Sequence, residues 1–212
     1  MARSTKLEAL ETRNRILDAA EQVFHAQGVS HSSLEDVAQA AAVTRGAIYW
    51  HFKNKSDLFE AMLERVKLPM EAMVEAGGDL AQPDPLGQLR HALIFVLQEI
   101  ALNPQSRKVF EIIFLKCELV EASDPLWVRR QESARRAQEN FERILRNAVA
   151  RAQLPEDLDV PLACTAMRAM MGGLISNWVF MPGQFDLAKD AWRLVEGCLD
   201  MVRYAPALRG RD

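Results

Sequence analysis

The sequence predicts an all-α protein, and three observations support this prediction. Apolar residues recur every three or four positions along nearly the whole chain. No run shows the alternation of apolar and polar residues between turn pairs that marks a half-buried strand. Segments rich in Pro, Gly, Asn and Asp divide the chain into blocks of helical length. At 212 residues and 49% hydrophobic content, the chain can bury a core in each of two domains, which we expect at residues 1–55 and 56–212.

The first predicted helix covers about residues 7–26. Gly28 follows it, where a helix C-terminus favours a residue with positive φ. Ser32 and Glu35 have the spacing of a capping box, which predicts a second, short helix ending near residue 41.

Two further caps and a proline bound the next helices. Thr44 is the predicted N-cap of a third short helix, only two residues after the second. Asn54 or Ser56 caps a fourth helix, which we expect at residues 56–67, before Pro69. Five more helices are predicted at about residues 86–102, 105–120, 125–152, 159–180 and 186–203, which makes about nine in all.

Composition excludes several classes of protein. The cysteines are odd in number and lack C-x-x-C spacing, which argues against a disulfide framework and a zinc site. The net charge of −3 argues against a protein that coats nucleic acid through bulk charge. There is no apolar run typical of a signal peptide, and no segment of about 18 apolar residues that could span a membrane. We therefore expect a cytoplasmic protein that uses no metal or other cofactor and no membrane.

Two short helices joined by a tight turn predict a helix-turn-helix, whose second helix can lie in the major groove of DNA. Thr44 and Arg45 stand at the groove-entering end of that helix, and Gly46 allows its backbone to approach closely. Tyr49 lies one turn further along the same face. Arg45 suits a bidentate contact with a guanine edge, while Thr44 can bond a phosphate or contact a thymine methyl group.

Three basic or titratable side chains follow the predicted recognition helix. His51, Lys53 and Lys55 are expected on the side that faces the DNA backbone, near the start of the fourth helix. The alternative interpretation is a solvated surface, since paired short helices with a few basic residues also occur in proteins that do not bind DNA. The residues alone leave both interpretations open.

The run from Thr12 to Leu63 resembles the DNA-binding region of TetR-family transcriptional regulators, and "VTRGAIYWHFKNKSDL" is its most specific part. Within that family the sequence is most similar to the AcrR/TtgR group of repressors, which control multidrug efflux operons. A weaker likeness extends to "KCEL" at 116–119 and "GGLISNW" at 172–178. The resemblance implies a homodimeric repressor of double-stranded operator DNA that small hydrophobic or aromatic ligands release.

The resemblance also assigns roles within the helix-turn-helix. One departure is Ala42, where most members have glycine. If that position has positive φ, alanine costs on the order of 1 kcal/mol there. The positions that match the family's groove-facing residues are Thr44, Arg45, Gly46 and Tyr49, and those that match its phosphate contacts are Tyr49, His51 and Lys55.

The predicted helix at 159–180 carries Met167, Met170 and Met171 on an apolar stripe. Thioether side chains form a deformable wall that suits apolar ligands of different shapes, although ordinary core packing also explains such a stripe. Arg168 beside this wall would favour acidic or phenolic ligands, unless it is exposed or paired with a carboxylate. The stripe and the resemblance give these candidate pocket residues: Val66, Leu93, Val96, Phe110, Phe114, Phe141, Met167, Arg168 and Met171.

The last two predicted helices have apolar residues on more than one face. Such helices can pair with the same helices of a second copy in a four-helix interface with twofold symmetry. A dimer also suits the DNA interpretation, because two recognition helices can occupy half-sites about 34–36 Å apart. The candidate interface residues are Ile175, Trp178, Val179, Leu194, Val195, Cys198 and Val202.

Two other functions are alternatives to a DNA-binding repressor. A cytosolic small-molecule sensor or carrier would act through protein partners without DNA. An enzyme would need acid and base groups that converge in a cavity, and only Arg168, Glu111 and Glu118 are candidates, with no motif that marks them as a catalytic set. We therefore expect a repressor and not an enzyme.

Overall fold

The computed structural model describes the backbone of residues 2–117 and 125–210, and the side chains of residues 6–117 and 127–210. Helices dominate these residues and no strand is formed among them, apart from one isolated bridge between Leu158 and Arg209. This confirms the predicted all-α fold. The α-helices of the described residues are α1 (Ala2–Gln27), α2 (Leu34–Ala40), α3 (Arg45–His51), α4 (Lys55–Gly77), α5 (Pro85–Leu102), α6 (Pro104–Glu111), α7 (Pro125–Ala150), α8 (Val160–Phe180) and α9 (Leu187–Tyr204).

The chain forms two compact units. The N-terminal unit comprises residues 1–67 and 108–128, and the C-terminal unit comprises residues 68–107 and 129–212. Their limits do not coincide with the predicted division after residue 55, because the first half of α4 and the segment from residue 108 belong to the N-terminal unit. None of the described helices is long and apolar enough to cross a membrane.

The core of the N-terminal unit lies under the helix-turn-helix. Phe24 of α1 and Phe59 of α4 are fully buried, with ring centroids 5.9 Å apart. Ile48 of α3 is equally buried. Gly28 has a φ of +85° and its N–H donates to Phe24 O at 2.9 Å, which confirms the predicted end of α1.

The capping box of α2 is shifted by one residue from its prediction at Ser32 and Glu35. Ser33 is the N-cap, its N–H donates to Asp36 Oδ2 at 2.8 Å, and Asp36 N–H donates to Ser33 Oγ at 3.2 Å. Ser32 is buried instead, and its hydroxyl donates to Val29 O at 3.0 Å. The buried hydrogen bond removes Ser32 from capping.

The prediction that the fourth helix ends before Pro69 is wrong. Asn54 Oδ1 accepts the Asp57 N–H at 2.8 Å and caps the start of α4, but the helix continues through Pro69 to Gly77. A proline in a helix interior costs about 3 kcal/mol. The helix beyond the proline is packed, since Met70 is buried and Gly77 lies so close to Ile144 that a β-carbon added there would be 3.4 Å from Ile144 Cδ1.

The segment after α6 also differs from the sequence prediction of one helix over 105–120. The α-helical pattern ends at Glu111 and a π-helical turn, Ile112–Lys116, follows it. Such turns are uncommon and often occur at functional sites. Residues 118–120 of that predicted helix, including Glu118, lie outside the described residues.

In the C-terminal unit, α9 packs along α5 and against α8. Asp84, Asp159 and Asp186 each accept a backbone N–H and cap α5, α8 and α9. After α9, a short 3₁₀ turn at Pro206–Leu208 leads the chain back to the segment before α8, where Asp159 N–H donates to Leu208 O at 2.9 Å. Neither the turn nor this contact was predicted, since neither has a periodic pattern.

Candidate nucleic-acid interface

The turn between α2 and α3 contains a left-handed residue. Ala42 has a φ of +52°, so the positive φ that would favour glycine is present. Its N–H donates to Gln39 O at 3.1 Å, and the next N–H, from Val43, donates to Ala38 O at 3.0 Å. These bonds close the C-terminus of α2 and turn the chain directly into α3.

Thr44 is the N-cap of α3, as predicted. Its backbone is extended, and its Oγ1 accepts the Ala47 N–H at 3.2 Å. A β-carbon at Gly46 would meet only Thr44 Oγ1, at 3.9 Å, so the fold itself leaves room for a side chain there. The glycine therefore keeps this surface open without being required by the turn.

Arg45 and Tyr49 form the exposed face of α3. The Arg45 guanidinium carbon lies 5.6 Å from the Tyr49 ring centroid, and Arg45 Nε lies 3.8 Å from Glu35 Oε2 on α2. Contact with Tyr49, and then the charge of Glu35, raises the pKa of Arg45, which stays positive. Ile48 and Phe52 are buried, as expected for the opposite face. The guanidinium is therefore held near the surface and available to an outside partner.

Trp50 is absent from the residues predicted to contact DNA, although its side chain is 72% exposed. Its ring meets the ring of His51 edge-on, with centroids 4.5 Å apart. Trp50 lies four residues after Gly46, so both are on one face, away from the buried Ile48. That spacing could have identified it from the sequence.

The basic groups near α3 have different environments. Lys53 is exposed, and its backbone N–H donates to Asp57 Oδ2 at 3.0 Å. The pKa of His51 is lowered by burial first and by the nearby Arg13 charge second, which favours the neutral ring. Arg13 of α1, which was not among the predicted site residues, places its guanidinium carbon 5.2 Å from the Phe52 ring centroid.

The Lys55 side chain is bonded to backbone carbonyl groups of the N-terminal unit. Its ammonium group donates to Val29 O at 2.6 Å, to Ser32 O at 2.9 Å and to Ser30 O at 3.3 Å. These acceptors belong to the loop between α1 and α2. The structure thus shows the ammonium group, which the sequence predicts to contact DNA, bonded to this loop.

The predicted pocket residues are divided between the two units. In the N-terminal unit, Val66 is buried, and the stacked rings of Phe110 and Phe114 have centroids 6.4 Å apart. In the C-terminal unit, Leu93, Met167 and Met171 are buried, while Val96, Phe141 and Arg168 are half-buried.

Arg168 is paired with a side chain of α7. Its Nη1 donates to Gln138 Oε1 at 2.7 Å, and Gln138 Nε2 donates to Glu142 Oε1 at 2.9 Å. The guanidinium is thus linked to a carboxylate through an amide. This arrangement is close to the alternative given above, in which Arg168 is paired with a carboxylate and does not serve a ligand.

Most of the predicted interface residues are core residues of a single chain. Val195, Cys198 and Val202 are fully buried, and Ile175, Trp178 and Val179 are at most 8% exposed. Their apolar side chains pack within the C-terminal unit, where α9 packs along α5 and against α8. Burial also raises the pKa of the Cys198 thiol to about 11.

A different set of residues lines the exposed side of α8 and α9. A groove of about 480 Å³ lies there, and Trp192 nearby in sequence is 58% exposed. Of the predicted interface residues, only Leu194 reaches this groove. The residues that line it are Leu174, Phe185, Asp190, Arg193 and Leu194.

Comparison with known proteins finds one family that matches the N-terminal part of the chain and another that matches its C-terminal part. The family described as bacterial regulatory proteins, tetR family, matches residues 16–62. The family described as MAATS-type transcriptional repressor, C-terminal region, matches residues 84–204.

Individual proteins are similar over nearly their whole length. The probable HTH-type transcriptional regulator ArpR of Pseudomonas putida is 41% identical over 209 residues, which cover 99% of this chain and 100% of ArpR. The crystal structure of NalD, the secondary repressor of the MexAB-OprM multidrug efflux pump in Pseudomonas aeruginosa, is 33% identical, with a TM-score of 0.81 over 93% of this chain and 99% of NalD. SmeT is the repressor of the Stenotrophomonas maltophilia multidrug efflux pump SmeDEF. The structure of the SmeT–triclosan complex is 32% identical in sequence to this chain, with a TM-score of 0.82 over 95% of this chain and 96% of SmeT.

Proposed function

The chain belongs to the TetR family and is a transcriptional repressor, and we propose that it binds operator DNA as a homodimer and is released by small hydrophobic or aromatic ligands. We propose further that it controls a multidrug efflux operon. NalD and SmeT, which repress multidrug efflux pumps, support this choice of target.

The exposed face of α3 is the main observation that supports the proposal. Arg45 and Tyr49 lie together on this face, and Gly46 leaves the helix surface beside them open. An arginine on a short exposed helix can reach the O6 and N7 atoms of guanine in the major groove. Thr44, Tyr49, His51 and Lys53 surround it as proposed phosphate or groove contacts.

The proposed dimer uses the exposed side of α8 and α9. Leu174 and Leu194 line the groove there, Asp190 and Arg193 provide charges of both signs, and Trp192 offers a large apolar surface. A twofold interface pairs one patch with its own copy, so a mixture of apolar and complementary charged groups suits it. Two copies of α3 can then reach two half-sites on the same face of DNA.

The proposed ligand site is in the helical C-terminal part of the chain. Met167 and Met171 form an adaptable apolar wall on α8, and the SmeT complex with triclosan supports a small aromatic ligand. The ligand must bind more tightly to an arrangement of the dimer that does not fit DNA. A coupling of about 1–3 kcal/mol between the two sites is sufficient for regulation.

The test is a titration of the purified protein with a fluorescent duplex from its own upstream region, at two salt concentrations and with random DNA as competitor. We expect competitor-resistant binding that weakens with salt. Arg45→Ala should lose specific binding by about 10- to 100-fold, the cost of one bidentate base contact. Arg136→Ala, at an exposed position on α7, is the matched control and should bind like the unmodified protein.

A second titration adds triclosan to the preformed complex. Release of DNA supports the ligand-responsive part of the proposal. Unchanged affinity at saturation with a ligand that binds the protein contradicts it. If Arg45→Ala and Tyr49→Ala leave the protein's cellular activity unchanged, the carrier alternative is favoured.

A further inference from the structure

The ammonium group of Lys55 occupies a cage of backbone carbonyl oxygens. Nζ lies 2.6 Å from Val29 O, 2.9 Å from Ser32 O and 3.3 Å from Ser30 O. An ammonium group has three N–H donors on one compact centre, which matches three converging acceptors. Hydrogen bonds from a charged donor are stronger than neutral ones.

The cage joins the two ends of the helix-turn-helix. Its last carbonyl belongs to Ser32, immediately before Ser33, the N-cap of α2. Lys55 is the first residue of α4, which follows α3 after a three-residue connection. A single side chain therefore ties the entry of α2 to the exit of α3.

Val29 is held from a second direction as well. Its N–H donates to Lys116 O at 2.9 Å, at the end of the π-helical turn that follows α6. Its carbonyl accepts the Ser32 hydroxyl at 3.0 Å in addition to the Lys55 ammonium. The loop between α1 and α2 is thus fixed between the π-helical turn and the start of α4.

We propose that Lys55 is a positioning residue, which holds this loop on α4 and thereby sets the orientation of α3, and that it is not a ligand of a DNA phosphate. The inference rests on the proposed binding of operator DNA. The two roles differ in what they do to binding. A phosphate contact strengthens binding to every sequence and adds about 0.9 to the salt dependence, whereas a positioning contact acts on the fit to the operator.

The experiment compares Lys55→Met and Lys55→Arg with the unmodified protein, using operator and random duplexes at several salt concentrations. Methionine keeps the apolar stem and removes the charge. Arginine keeps the charge and bonds phosphate well, but its planar fork does not reproduce a compact three-donor group. Lys53→Met, which removes an exposed ammonium two residues away, shows the effect of losing a surface charge.

We expect both Lys55 variants to lose about tenfold or more in operator affinity, while binding to random DNA stays within about twofold and the salt slope is unchanged. A slope reduced by about 0.9 in Lys55→Met, with full affinity in Lys55→Arg, would identify a phosphate ligand and overturn the proposal. A lower melting temperature with unchanged operator affinity of the folded protein would also overturn it.

Amide hydrogen exchange of the DNA-free protein tests the cage independently of DNA binding. Lys55→Met should accelerate exchange of the Val29 N–H and of the first amides of α2, with no change in α9. Unchanged protection of these amides overturns the proposal even if the operator is bound. A further outcome is that Lys55→Met accelerates exchange of these amides although the unmodified protein does not distinguish its operator from random DNA. In that case the proposed function fails, and the role of Lys55 in holding the loop stands.

Discussion

His25 Nε2 of α1 lies 2.6 Å from Glu111 Oε2 at the end of α6. The contact joins two helices of the N-terminal unit that are 86 residues apart in sequence, directly before the π-helical turn. It also gives Glu111, one of three residues considered for an enzyme, a structural partner. The sequence alone did not indicate a role for this carboxylate, and the structure shows that it links two helices.

Removal of this contact should destabilise the protein. We expect Glu111→Ala to lower the free energy of unfolding by about 1 kcal/mol, because it removes a half-buried hydrogen bond between two helices. Urea denaturation measures the loss. Glu139→Ala removes an exposed pair with Arg135 within α7 and serves as the control, with an expected loss of about 0.5 kcal/mol or less. Equal losses in the two variants would contradict a special role for the contact of Glu111 with His25.

Gly46→Ala should separate stability from DNA binding. A β-carbon there meets nothing closer than 3.9 Å. Alanine is also more favourable than glycine in a helix, by up to about 1 kcal/mol. We therefore expect a slightly more stable protein that binds its operator more weakly, because the methyl group obstructs close approach of α3 to the groove.

Thermal melting and the operator titration test this pair of effects. Gly172→Ala on α8 is the control, since a β-carbon at Gly172 also has no neighbour within 4 Å. It should gain comparable stability without loss of operator affinity. Undiminished affinity in Gly46→Ala would show that the glycine has no role in approaching DNA.

Ala42→Gly should stabilise the turn between α2 and α3. Alanine at a φ of +52° is strained, and glycine relieves strain of about 1 kcal/mol at such a position while costing some entropy in the unfolded chain. The net gain in unfolding free energy should be positive and below about 1 kcal/mol.

A matched comparison is available elsewhere in the chain. Ala152, after α7, has a φ of +55°, so Ala152→Gly should show a similar gain in urea denaturation. Only Ala42→Gly should also change the relative affinity for different operator sequences. A loss of stability in both variants would mean that relief of strain does not decide the outcome.

Stability should depend on pH through His51. The pKa of His51 in the folded protein is below its ordinary value of 6.5, because of burial and the charge of Arg13. Between these two pKa values the unfolded chain binds more protons, so stability falls as the pH drops below about 6.5. His51→Gln should remove this part of the pH dependence.

The measurement is the free energy of unfolding between pH 5 and about pH 8, together with a direct NMR titration of the His51 ring. Arg13→Gln should raise the pKa of His51, because it removes the second cause of the shift. An identical pH dependence in the unmodified protein and in His51→Gln would exclude the imidazole as its source.

The sequence by itself determined the local features of this fold. Gly28, Thr44 and Asn54 were identified as helix ends because each acts on backbone groups only a few residues away. The helix-turn-helix and its exposed Arg45 followed from the same kind of information, since spacing along a helix defines which residues share a face. The resemblance to the TetR family also came from one contiguous segment, Thr12 to Leu63.

Tertiary structure decided the features that depend on distant residues. Lys55 was predicted to contact DNA, and only the folded chain shows that its ammonium group bonds to three carbonyls more than 20 residues earlier in the chain. Val195 and Cys198 were predicted at a dimer interface, and both are buried within the single chain, on the helix α9 that packs along α5, about 100 residues earlier. Periodicity shows that a helix has an apolar face, whereas only the packed chain shows what covers that face and which polar groups meet inside it.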